Sequence, residues 1–263
     1  MDDYKKINKN AWNLKTDIHI RSGFYDNASF LQGGSSLKSI ERDILGDIAG
    51  KSVLHLQCHF GQDSVSLSRM GAKVTGIDLS DHAIEYAGKI AKELADSTKF
   101  ICCDVYSLPD VLNEKFDLVF TSYGVIGWLP DMDRWAQVIS YFLKPGGRLV
   151  MAEFHPAVWM FDEDFKNIAY NYFNAGEIVE QMEGTYADRE AGIGYTTVCW
   201  NHSLSEVIGS LLRAGIRLNR FEEFDYSPYD CFKHTIRIEK DKYRIRHLGN
   251  KFPMVYAVEG IKD

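Results

Sequence analysis

The chain has 263 residues, 45% hydrophobic and 25% charged, an ordinary composition for one large α/β domain or two small ones. A net charge of −7, without a basic stripe, argues against nucleic acid or an anionic membrane as partner, and no apolar run reaches membrane-spanning length. The five cysteines, Cys58, Cys102, Cys103, Cys199 and Cys231, form no CxxC pair, and the opening MDDYKKINKN lacks an apolar signal core, so a cytoplasmic protein is expected.

Residues 1–36 are polar and aromatic and end in Gly33-Gly34-Ser35-Ser36. Leu37, Ile40, Ile44, Leu45 and Ile48 then recur at helical spacing, with Gly50 as the stop. Lys51 to Leu56 reads as a short buried strand, Asp63 to Met70 as a helix closed by Gly71, and Lys73 to Asp78 as a second strand. Ser80 caps a helix whose apolar side is Ala83, Ile84, Ala87, Ala91 and Leu94. Phe100 to Asp104 and Phe116 to Thr121 are the third and fourth strands. Trp135, Val138, Ile139 and Phe142 mark a helix stopped by Lys144-Pro145-Gly146-Gly147, and Arg148 to Glu153 is the fifth strand. Residues 154–200 are rich in Tyr, Phe and Trp and break the rhythm. Ser203 and Glu206 make a capping box for a helix closed by Ala214-Gly215. Two final strands, Ile216 to Phe224 and Phe252 to Val258, flank a hairpin-like stretch at 235–247.

Strand–helix alternation with buried apolar strands predicts a mostly parallel sheet covered on both faces, with ligands at the carboxyl ends of the strands. The stretch HLQCHFGQD follows the first strand. His55, Cys58 and His59 suit a metal by type, but a zinc site needs four convergent ligands and no second pair stands nearby. A nucleotide-type ligand explains more. The loop and the following helix offer backbone N–H groups, and Asp78 ends the second strand about 20 residues on, where a carboxylate meets ribose hydroxyls. Asp104 ends the third strand in the same way.

The run VLHLQCHFGQDSVSLSRMGAKVTGIDLS resembles the cofactor-binding segment of class I S-adenosylmethionine-dependent methyltransferases. FDLVFTSYGVIGWLPDMDRWAQVI and LKPGGRLVMAEFHP are similar to that family's fourth strand and its turn before the fifth. The likeness covers roughly residues 51–155 and the last two strands. More narrowly, HLQCHFGQD, WLPDMDRWA and WNHSLSE look like a group of bacterial methyltransferases of largely unassigned substrate. His55 stands where the family usually has an acid, and Gln57 and His59 where it has glycine; Gly61 is kept. The loop is therefore expected to exchange backbone contacts for side-chain contacts.

The resemblance implies a Rossmann-like fold, with seven strands, mostly parallel, an antiparallel last strand and helices on both faces. It implies S-adenosylmethionine as cofactor, S-adenosylhomocysteine as product and a small-molecule substrate. His55, Gln57, His59 and Gly61 would meet the methionyl end, Asp78 and Leu79 the ribose and adenine, Asp104 and Val105 the adenine, and Ser122 and Tyr123 the sulfonium. Thr-Ser-Tyr-Gly-Val after the fourth strand differs from the Asn-Pro-Pro-aromatic signature of amino-group methylators of DNA and protein. Glu153, His155 and His202 are candidate general bases, with His19 and Tyr25 behind them. One domain is expected over residues 1–263: a lid (1–36), a cofactor-binding core (37–153), a substrate-side insertion (154–200) and the rest of the core (201–263). The aromatic insertion would wall the substrate pocket or form a homodimer interface. An NAD-dependent oxidoreductase is a competing reading, opposed by the missing GxGxxG, and a non-catalytic S-adenosylmethionine binder is another.

Overall fold

The computed structural model describes residues 3–263. Three helices come first, α1 (Asp3–Arg21), α2 (Asn27–Leu31) and α3 (Ser39–Leu45). The core follows as β1 (Ser52–Leu56), α4 (Gln62–Arg69), β2 (Lys73–Asp78), α5 (Asp81–Glu93), β3 (Lys99–Cys102), α6 (Leu108–Val111), β4 (Phe116–Ser122), α7 (Met132–Phe142) and β5 (Leu143–Phe154). The remainder is β6 (Ile178–Glu183), β7 (Gly194–Cys199), α8 (Leu204–Arg213), β8 (Ile216–Phe224), β9 (Thr235–Glu239), β10 (Lys242–Ile245) and β11 (Val255–Lys262).

Seven strands form one sheet in the order β3-β2-β1-β4-β5-β11-β8. The first five are parallel, and β11 runs antiparallel to both β5 and β8. Alternation along β1 feeds two cores, as a pleated strand must. Leu54 and Leu56 join Trp135, Ile139, Val207 and Leu211 of α7 and α8 on one face. Val53 joins Ile40, Ile44 and Leu67 of α3 and α4 on the other. The parallel β1 and β4 are thus buried on both sides, which is why they read as unbroken apolar runs.

Several boundaries differ from expectation; β3, for one, stops at Cys102, two residues before the expected Asp104. The helix after Leu37 ends at Leu45, not at Gly50, because Gly46 takes φ 59° and breaks it; Ile48 stays buried in the core from the following loop. β5 starts at Leu143, and Lys144 to Gly147 bulge out where the register against β4 jumps from Phe116–Leu143 to Leu118–Arg148. β11 starts at Val255, three residues after the expected Phe252. Outside the large sheet, β6–β7 and β9–β10 are antiparallel hairpins. Among the described residues, no helix is long and apolar enough to cross a membrane.

Candidate functional site

The carboxyl ends of β1, β2 and β4 meet the loop Gln57–Gly61. Cys58 N–H donates to the Ile77 carbonyl (2.8 Å) and His59 N–H to Asp78 Oδ2 (2.8 Å). To aim these groups at β2, the loop takes left-handed φ at alternate residues: 54° at Gln57, 50° at His59 and 85° at Gly61. Two of these are side-chain-bearing residues at positions where glycine is the easy solution. Gly61 has no alternative, since a Cβ there would lie 2.7 Å from the Phe100 ring and 2.8 Å from Ala87.

Asp78 accepts from the Ser80 N–H as well (2.8 Å), and burial raises its pKa to about 6 against the pull of these N–H donors. Gln57 Nε2 donates to the Val125 carbonyl (2.8 Å). His59 Nε2 lies 2.9 Å from His19 Nδ1 on α1. Burial lowers the pKa of both rings, that of His19 to about 3, with the Lys15 charge adding to the effect at each. Gln57 Oε1, His59 Nδ1 and His19 Nε2 are buried and have no partner among the described residues. Native structures pair such atoms, so unpartnered ones clustered on a single loop and its cover suit a polar ligand.

Helix α1 lies across this opening. Lys5 pairs with Asp104 (3.0 Å) and Lys9 with Asp81 (3.1 Å), while Asn13 bonds Asp81 and Ser80. The Asn8 side chain bonds both the N–H and the C=O of Val198, fixing α1 to β7. The Trp12 ring meets His59 (centroids 5.1 Å) and Trp128 (5.3 Å). Past α1, Tyr25 and Tyr186 join hydroxyl to hydroxyl at 2.5 Å, and both rings pack on His19. A cleft of about 450 Å³ opens beside them, lined by Phe24, Lys38, Tyr186, Arg189, Tyr229 and Tyr243 among others.

Behind β4, Ser122 Oγ donates to Asp63 Oδ2 (3.1 Å) and Tyr123 OH to Glu41 Oε2 (2.7 Å). Glu41 is fully buried, and that burial, with the charge of Asp63, lifts its pKa to about 7. The Tyr123 ring rests on Phe154 and Tyr229.

Several expected site residues face elsewhere. His55 is packed under the loop: Nδ1 is 2.8 Å from Ser64 Oγ, the ring lies on Phe120, and burial lowers its pKa to about 4. His55, Cys58 and His59 thus point to different partners and do not converge. Val105 is buried in the core beside Tyr106, whereas Leu79 is half-buried at the end of β2. Glu153 accepts N–H bonds from Gly124, Val125 (2.8 Å), Ile126 (3.3 Å) and Phe154 (2.6 Å), so it holds the turn after β4. His155 Nε2 is 2.9 Å from Glu223, and its Nδ1 accepts the Ala157 N–H. His202 Nε2 is 2.8 Å from the Leu129 carbonyl and its Nδ1 3.1 Å from Glu206. All three candidate bases are buried and engaged in holding backbone or helix ends.

The insertion divides. Tyr186 and Tyr195 reach the site, but Trp159 packs on Phe232, Phe161 stacks on Phe165, and Phe173 is exposed. Tyr170 donates to Glu180, and the Tyr172 hydroxyl accepts the Leu204 N–H. Glu41, central here, carries no sequence signal beyond its place in the helix after Leu37, and Lys15 carries none.

Residues 53–147 match the family described as a methyltransferase domain. A ubiquinone biosynthesis O-methyltransferase of Coxiella burnetii is 33% identical over 113 residues, 43% of this chain and 47% of that protein. The chain thus spans about half the length of this relative. An S-adenosylmethionine-dependent methyltransferase structure from Methanosarcina mazei superimposes with a TM-score of 0.59 at 18% identity, over 86% of this chain and 98% of the other. A geranyl diphosphate methyltransferase solved with GPP and sinefungin gives 0.57 at 18% identity, over 85% and 77%.

Proposed function

We propose that this chain, which carries a class I S-adenosylmethionine-dependent methyltransferase domain, transfers a methyl group to a nitrogen, oxygen or sulfur atom of a small molecule, releasing S-adenosylhomocysteine. One observation carries the reading: the loop keeps left-handed backbone at Gln57, His59 and Gly61 and faces Asp78 although two glycines are gone. The Coxiella relative, an O-methyltransferase by name, supports a small-molecule acceptor.

When bound, the cofactor supplies a methyl group already activated by positive sulfur. In our assignment Asp78 holds the ribose hydroxyls with the carboxylate lone pairs left by His59 and Ser80, and Leu79 packs on the adenine. Asp104 accepts from the adenine amino group and shares its charge with Lys5. Gln57 Oε1 and His59 Nδ1 take the polar methionyl end. Ser122 and Tyr123 border it, and Glu153 fixes the turn that follows them. Helix α1 and the rings of Trp12, Tyr25 and Tyr186 exclude water and align the acceptor, the main service an in-line displacement needs. His19 and His59 are neutral and weakly basic, and the other candidate bases are engaged. The site therefore favours a nucleophile that arrives with a free lone pair.

The antiparallel β11 between β5 and β8 departs from the all-parallel order of dinucleotide-binding folds and speaks against NAD. The five cysteines are unpaired, which supports a reducing cytoplasm as the setting. Calorimetric titration with S-adenosylmethionine, S-adenosylhomocysteine and NAD tests the reading. Micromolar binding of the first two alone is expected; tight NAD binding, or no binding of any, contradicts it.

A further inference from the structure

Helix α1 carries a buried amine that its neighbours do not explain. Lys5 and Lys9 each find a carboxylate. Lys15 is only 5% exposed, and among the described residues no carboxylate and no hydrogen-bond acceptor pairs with it. Its Nζ instead stands 4.3 Å from the ring centre of Trp12, 4.7 Å from that of Trp128 and 4.9 Å from that of Tyr195. Ring faces offset only part of the cost of removing an ammonium from water. The titratable groups around it are His19 on the same helix, His59 on the loop and the Cys199 thiol on β7. Burial lowers the two imidazoles and raises the thiol to about 11, so none of them is an anion at neutral pH. The cage also shares its walls with the site: Trp12 touches His59, and the Trp128 indole N–H donates to the Gly124 carbonyl just after β4.

We propose that Lys15 is the counter-ion for a carboxylate on a molecule bound beneath α1. Two molecules could bring that group: the amino-acid end of the methyl donor, or an acidic acceptor. Both sources, as methyl donor and methyl acceptor, rest on the function proposed above; binding of a carboxylate beneath α1 as such does not. Burial lowers the Lys15 pKa to about 7, so the unliganded protein holds the ammonium only in part at neutral pH, and a carboxylate bound against the ring-walled Nζ would favour the charged form.

The test compares wild type with Lys15→Met, which keeps the stem and removes the charge, and with Lys15→Arg, which keeps the charge. Calorimetry is run with S-adenosylhomocysteine and with its decarboxylated analogue; thermal melts are run with benzoate and with neutral benzamide. A Lys15→Met loss of about tenfold in S-adenosylhomocysteine affinity, with the analogue unchanged and Lys15→Arg close to wild type, supports the pair with the donor as source. Unchanged nucleoside binding, with benzoate but not benzamide stabilising wild type and not Lys15→Met, supports it with the acceptor as source. Equal losses for both nucleosides, or no carboxylate dependence in either assay, overturns the proposal. Failure of wild type to bind either nucleoside would instead overturn the methyl-donor reading and leave the melts to decide on Lys15.

Discussion

At Gln57 and His59 the backbone does what glycine does elsewhere, with side chains attached. Left-handed backbone costs a side-chain-bearing residue roughly 1–2 kcal/mol. The compensations are specific: Gln57 Nε2 reaches the Val125 carbonyl, and His59 gives its N–H to Asp78 and its ring to His19. Gln57→Ala loses the side-chain bond and keeps the strain, whereas Gln57→Gly loses the bond and relieves it. Thermal or urea unfolding should therefore find the glycine variant more stable than the alanine variant, by about 1 kcal/mol after allowing for glycine's freer unfolded chain. The reverse order would mean that the loop is not held in this conformation in solution. Residues of this kind were partly legible. Asp78 follows from a strand end and Gly61 from the family resemblance, whereas the buried Glu41 finds its partner in Tyr123, 82 residues away, and no local pattern announces it.

Helix α1 is the element on which access depends. It is held by Asn8 on β7, by the Lys5 and Lys9 pairs, and by the contact of His19 with His59. Both imidazoles are buried with lowered pKa, so the docked helix requires them neutral. A base whose pKa is depressed on folding stabilises the docked state fully above its free value near 6.5. That contribution is lost as pH falls toward the docked value, which is about 3 for His19. Hydrogen-exchange protection of residues 3–21, corrected for intrinsic rates, should fall between pH 7 and pH 4 in wild type and much less in His19→Phe. Equal protection at both pH values in wild type would contradict this. The caps at Ser80 and Ser203 stand where the sequence places them, because a cap is a local contract between a side chain and the next turn. α3 ends at Gly46 rather than at Gly50 because either glycine can stop a helix, and the chain turns at the first.

Over the whole molecule, the strands were readable from apolar runs bounded by Gly, Pro and Asp, and their alternation with helices implied the parallel sheet. The position of β11 between β5 and β8 was not readable from the pattern itself; the family resemblance supplied the antiparallel last strand. Catalytic roles were the least legible. Glu153, His155 and His202 have the chemistry of bases, but the fold spends them on the turn after β4, on Glu223 and on the Leu129 carbonyl. One carboxylate is central to the assigned site. Asp78 ties β2 to the loop and stands under α1, where the cofactor's ribose is assigned. The most direct test is calorimetric titration of S-adenosylhomocysteine into wild type and Asp78→Ala, with circular dichroism to verify the fold. Micromolar binding to wild type and loss of at least about 30-fold, or roughly 2 kcal/mol, in the variant is predicted. Equal affinity in the two proteins would contradict the account.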